Sequence, residues 1–87
     1  MKFEFDQRKS DTNQTKHGID FATAQAIWLD VNRLEIPARS LTEPRYQVIG
    51  WSGGEVWSAF VTYREDAIRI ISVRRVRQEE RAAYDAD

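Results

Sequence analysis

The chain has 87 residues, 41% hydrophobic and 11% aromatic, which suits one small core and a single domain over residues 1–87. It has no cysteine, which excludes a disulfide framework and a thiolate zinc site, and no apolar run approaches the roughly 18 residues needed to cross a membrane. Net charge is −1, yet Arg outnumbers Lys ten to three, and Arg69, Arg74, Arg75 and Arg77 lie together ahead of Glu79, Glu80, Asp85 and Asp87. A locally positive surface is therefore compatible with a near-neutral total.

Met1–Asp6 lacks the apolar core of a signal peptide, so a cytoplasmic protein is expected. Phe3 and Phe5 alternate with polar neighbours, as in a short edge strand with one buried face. Asp6 suits the N-cap of a helix over Gln7 to His17, and Gly18 suits the position just past its end. That helix has no apolar stripe, so core burial cannot be what holds it. Lys9, Asn13, Lys16 and His17 fall on one of its faces. The segment reads either as a functional surface or as a solvated helix or polar loop.

Asp20 caps a second helix, Phe21 to Leu29, whose apolar face is Phe21, Ala24, Ile27 and Trp28. Leu34 to Ile36 predicts a short strand stopped by Pro37. Ala38 to Glu43 is a polar loop, either a plain connection or a mobile rim of the site. Three strands follow, Arg45 to Trp51, Val56 to Tyr63 and Ala67 to Val73. Gly53-Gly54 supplies the first tight turn and Arg64-Glu65-Asp66 the second, which predicts an antiparallel meander. In the last strand, alternation puts Ile68, Ile70 and Ser72 on one face and Arg69, Ile71 and Val73 on the other. A final helix, Gln78 to Tyr84, lacks a good N-cap at Arg77. The expected fold is α+β: a small antiparallel sheet, two N-terminal helices packed on it and a C-terminal helix. Trp28, Phe60, Ile68 and Ile70 are expected among the most buried side chains.

The only histidine is His17, with no second ligand at metal spacing, so neither a metal site nor a cofactor is expected. No Gly-rich phosphate loop is present. The chemistry on offer is a set of cations with one imidazole. RNA cuts itself when a 2′-OH attacks the adjacent phosphorus. Fixed cations stabilise the extra charge on the phosphorane, and an imidazole moves a proton near neutral pH. Lys16, Glu35 and Tyr84 are lesser proton carriers. Each of these residues also has an ordinary reading, His17 as a helix-dipole partner and the arginines as solvated strand ends.

Phe3-Glu4-Phe5-Asp6, Lys9, Asn13, Lys16-His17-Gly18-Ile19, Phe21 and Ala24 resemble the opening pattern of BrnT-type toxins. Thr62, Arg64, Arg69-Ile70-Ile71-Ser72-Val73-Arg74 and Glu80-Arg81 with Tyr84 resemble the family's later motifs, in order and at matching spacing. The chain departs from the pattern at Phe5 (usually Trp), Val73 (usually Ala), Tyr63 (often Glu) and Arg77 (usually a capping Ser or Thr). The resemblance implies a RelE-like domain and a metal-independent endoribonuclease that blocks translation. It also implies a heteromeric complex with a BrnA-type antitoxin, which alone contacts operator DNA. Catalytic roles fall to His17, Arg64, Arg69 and Arg74, and RNA contacts to Lys9, Lys16, Arg75, Arg77 and Tyr84. Arg74 reaches the face of Arg69 only if the strand bulges near Ser72. The alternative is a non-catalytic binding module, or a degenerate toxin acting with its antitoxin as a co-repressor.

Overall fold

A computed structural model describes residues 1–86, so Asp87 of the acidic tail lies outside the described residues. The elements run β1 (Lys2–Glu4), α1 (Gln7–His17), α2 (Phe21–Ala24), a 3-10 turn (Gln25–Leu29), β2 (Leu34–Ala38), β3 (Arg45–Ser52), β4 (Glu55–Arg64), β5 (Ala67–Arg75) and α3 (Gln78–Asp85). The five strands form one sheet in the order β1-β5-β4-β3-β2. Its β2–β5 part is antiparallel as expected, but β1 runs parallel to β5, pairing Phe3 with Ile68 and Glu4 with Arg69. The sheet is therefore mixed. No hairpin joins β1 to β5, so turn geometry does not set their relative direction, and the helical crossover between them permits the parallel one.

The inner face of the sheet carries the core. Val48, Ala59, Val61, Ile68, Ile70 and Val73 pack there against Ile19, Phe21, Ala24, Ile27 and Trp28. Phe3 meets Trp28 edge-on at 5.1 Å, and Phe5 meets Phe21 at 5.6 Å. The expected single helix over Phe21–Leu29 is α-helical only to Ala24 and then tightens to 3-10. The apolar residues Phe21, Ala24 and Ile27 recur every third position, a spacing that the three-residue turn brings into line. Gly50 admits this turn: a Cβ there would stand 2.8 Å from the Ile27 side chain. Pro37 lies within β2 rather than ending it, which an outermost strand tolerates because its outer N–H groups have no partner to lose.

Gly53 and Gly54, at φ 59° and 94°, close the β3–β4 hairpin. Between β4 and β5 the register slips: Phe60 faces Ser72, while Val61 faces Ile70. Ile71 is the extra residue of a β-bulge. The expected alternation fails beyond it. Val73 joins Ile68 and Ile70 on the inner face, and Ser72 and Arg74 join Arg69 on the outer one. Trp28, Ile68 and Ile70 are buried as expected, but Phe60 is only half-buried. Alternation puts it on the outer face, away from the helical layer.

Candidate functional site

The polar helix α1 is docked by hydrogen bonds. Asp6 caps it, accepting from the Arg8 and Lys9 N–H groups at 2.8 and 3.3 Å, and Gly18 ends it with its N–H on the Gln14 carbonyl. Ser10 and Asn13 are its only buried residues. The Ser10 hydroxyl accepts from the Phe21 N–H at 2.9 Å. Asn13 donates to the carbonyls of Ile19 (2.8 Å) and Val73 (2.9 Å) and accepts from the Val73 N–H at 3.1 Å. The pairing with β1 ends at Arg69, so at Val73 a side-chain amide takes both backbone groups that a neighbouring strand would have taken.

This docking sets the adjoining face of α1 against the bulge of β5. Between them lies an open cleft of about 290 Å³, lined by Arg8, Lys9, Thr12, Asn13, Lys16 and His17 of α1 with Ile71 and Ser72 of β5. No acidic side chain lines it. Among the described residues, none of its three cationic side chains, Arg8, Lys9 and Lys16, nor His17 is in an ion pair. Lys16 and His17 sit in the last helical turn, where the helix dipole favours positive charge. Lys9, Lys16 and His17 are thus brought together as their spacing predicts. Arg8 and Thr12 join them without having been singled out, although positions 8, 12 and 16 form an i, i+4 row.

The arginines of β4 and β5 do not line this cleft, and each one faces an acid. Arg64 lies 3.9 Å from Glu43 and Arg69 lies 3.8 Å from Glu4. Arg75 donates to Glu55 at 2.8 Å and stacks over Trp57. Arg74 shares the outer face with Arg69 because of the bulge, and it is held hardest. Its two terminal nitrogens each donate at 2.8 Å to the Glu80 carboxylate, and its guanidinium lies 5.2 Å from the Phe60 ring centroid. Glu80 also accepts from the Gln47 amide, the Ser58 hydroxyl and the Arg77 N–H. That last bond supplies the start of α3 with the reach-back half of a capping box. The Arg74 guanidinium holds the Glu80 carboxyl well below its ordinary 4.5, outweighing burial, which pushes the other way; Glu80 in turn raises Arg74.

No residue of α3 is buried, so Glu80 and Tyr84 are its principal ties. The Tyr84 hydroxyl donates to Asp30 at 2.6 Å. Burial pushes the Asp30 carboxyl up, but bonds from Tyr84, Trp51 and Asn32 outweigh it and leave it lowered. Glu35 accepts from the Tyr63 hydroxyl on the β2 side of the sheet, away from the cleft. Arg77 is exposed at the start of α3.

Among the described residues, no cluster of His, Asp and Glu is set to hold a metal ion, and no helix is long and apolar enough to cross a membrane. No curated protein matches the chain significantly. Residues 5–80, most of the chain and all of the cleft, match the family described as the ribonuclease toxin BrnT of type II toxin–antitoxin systems, and the chain belongs to that family.

Proposed function

We propose that this protein is a metal-independent endoribonuclease of RelE-like kinship. It cuts RNA in the cytoplasm, halting translation, until a BrnA-type antitoxin covers it in a heteromeric complex that meets operator DNA only through the antitoxin. The observation that carries the reading is the α1–β5 cleft, where Arg8, Lys9 and Lys16, unpaired among the described residues, and the only histidine surround a floor of Ile71 and Ser72 with no acid among them. A polyanion is the complementary ligand.

In the proposed reaction a 2′-oxygen bonds to the adjacent phosphorus, the bond from phosphorus to the 5′-oxygen breaks, and two protons move. Lys9, Lys16 and Arg8 offset the charge that builds on the phosphorane, and His17 carries one of the protons. Arg69 and Arg74 add guanidinium donors on the outer face, although each has its field offset by a carboxylate. Arg74 keeps its Nε–H outside the Glu80 clamp, so it remains able to donate to a phosphate oxygen. Arg64, Arg75, Arg77 and Tyr84 meet the RNA backbone further out.

The test is cleavage of end-labelled RNA by the purified protein, with and without EDTA. Cutting should survive EDTA and leave 2′,3′-cyclic phosphate and 5′-hydroxyl ends. Alanine at both Lys16 and His17 should slow it at least about a hundredfold. Products with 5′-phosphate ends, or activity abolished by EDTA, would overturn the mechanism.

A further inference from the structure

We propose that Arg45 and Arg39 form a second phosphate subsite, across the outer sheet face from the α1 cleft, and that the pair of subsites holds a single-stranded RNA. This rests on the ribonuclease reading above and adds to it a path for the substrate.

Arg45 opens β3 one residue before Tyr46, which pairs with Val61, so it comes beside Thr62; Thr62 in turn pairs with Arg69. Alternation gives Arg45 the same face as Gln47, Phe60, Thr62 and Arg69. Its backbone is fixed, because the Thr62 hydroxyl donates to the Pro44 carbonyl at 2.8 Å. Arg45 Nε is the one buried side-chain polar atom without a hydrogen-bond partner among the described residues. Such a donor is costly to leave unmet. The Arg45 side chain borders a cleft in the β2–β3 loop shared with Arg39, Ser40 and Thr42, and no acid lines that cleft. Glu43, the acid of this loop, lines an adjoining cleft with Arg45 and lies 3.9 Å from Arg64. Neither Arg39 nor Arg45 is ion-paired among the described residues.

Two guanidinium groups beside two hydroxyls make a cradle for a tetrahedral oxyanion. A phosphodiester fits best because of what lies between the subsites. From β5 to β3 is two strand spacings, about 10 Å, and half-buried Phe60 sits on β4 between them. An unpaired base can stack on an aromatic ring or on the guanidinium above it, whereas a base inside a duplex cannot.

The test uses a fluorescein-labelled 2′-O-methyl RNA of mixed sequence, which binds but cannot be cut. Its affinity is measured by anisotropy over a range of salt for the wild type, Arg45→Met, Arg39→Gln and the double variant. Each single change should weaken binding about 5-fold or more and lower the salt slope by about 0.7 per lost phosphate contact. On cleavable RNA, KM should rise with kcat unchanged. Arg39 is exposed, so Arg39→Gln reads the subsite even if Arg45→Met disturbs folding. Unchanged affinity and slope in the double variant, with a wild type that binds, would overturn the subsite and leave the ribonuclease reading standing. Loss of antitoxin binding with RNA binding intact would assign the cradle to the protein partner and overturn it too. A wild type that neither binds nor cuts RNA would bring down the ribonuclease reading and the subsite with it.

Discussion

The cations of α1 and the arginines of β4–β5 carry the same charge and differ in what faces them. Arg8, Lys9 and Lys16 line an open cleft without an acid, whereas Arg64, Arg69, Arg74 and Arg75 each stand beside a carboxylate. A free cation costs little to present in water and is available to an anionic ligand. A paired one has its field offset and its geometry fixed, and if partly buried it becomes part of the fold. Of the arginine run, Arg74 is therefore the one held as part of the fold, whereas the cations of α1 stand free of carboxylates on a helix that has no apolar stripe.

The largest effect expected from this contrast is at Arg74. Its side chain and that of Glu80 are 23% and 13% exposed, and Arg74→Ala would strand a carboxylate that four groups now hold. The cost should approach the low end of the ~3–5 kcal/mol for breaking a buried pair, lowering the melting temperature by on the order of 15 °C. Loss of toxicity in Arg74→Ala thus says nothing about catalysis until thermal unfolding is measured. A variant with the wild-type melting curve would erase the distinction between the two sets of cations.

The complementary experiment is on α1. Lys16→Ala should slow RNA cleavage roughly a hundredfold, or about 2.7 kcal/mol of barrier. Its stability should stay within the scatter of surface changes, about 0.5 kcal/mol. His17→Ala should behave alike, with a smaller loss. Stability that falls along with activity would mean that these side chains hold the helix in place.

How much of this could be read in the chain depends on the range of the interaction. The limits of α1 were legible because Asp6 and Gly18 act within a turn of themselves. The row Lys9, Lys16 and His17 was legible from helical spacing, and Arg8 was there to be read from the same spacing. What docks α1 was not, because Asn13 reaches Val73, 60 positions away. Alternation alone does not show the β5 bulge, because Ile70-Ile71 offers an apolar side chain to either face; only the resemblance raised it, by asking Arg74 to share the face of Arg69. The pairing of Arg69 with Glu4 depends on a parallel strand contact that no local rule supplies.

Asn13 tests whether the cleft survives without its fastening. Asn13→Ala leaves the Val73 N–H and C=O and the Ile19 carbonyl unpartnered, which should cost about 2 kcal/mol. It should also reduce cleavage at temperatures where the protein is still folded, because α1 is no longer registered against the bulge. Asn13→Asp keeps the acceptor for the Val73 N–H but sets a buried carboxylate against the Ile19 and Val73 carbonyls, so near pH 7 it should be less stable than Asn13→Ala. If Asn13→Ala melts like the wild type, α1 is held by Ser10 and its caps alone.

The smallest expected effect is a dependence on pH. Glu80 is held below its ordinary 4.5 by the Arg74 guanidinium, with the Arg77 N–H and the Gln47 amide assisting. A depressed carboxyl contributes stability that is fully present above the unfolded value and is lost as pH falls through the folded one. The contribution should therefore hold from neutrality down to about pH 4.5 and shrink below it, by at most about 1.4 kcal/mol per pH unit for one group. Glu80→Gln has no proton to take up at that position, so it should be less stable than the wild type near pH 7, and the gap should narrow between pH 4.5 and pH 3. The exposed pairs Arg75–Glu55 and Arg81–Asp85 are screened by water and add little to either curve. Unfolding curves for both proteins across that range decide it. A gap that stays constant would mean that Glu80 acts through packing and hydrogen bonds and not through its charge, and the paired arginine of β5 would then differ from the free cations of α1 in geometry alone.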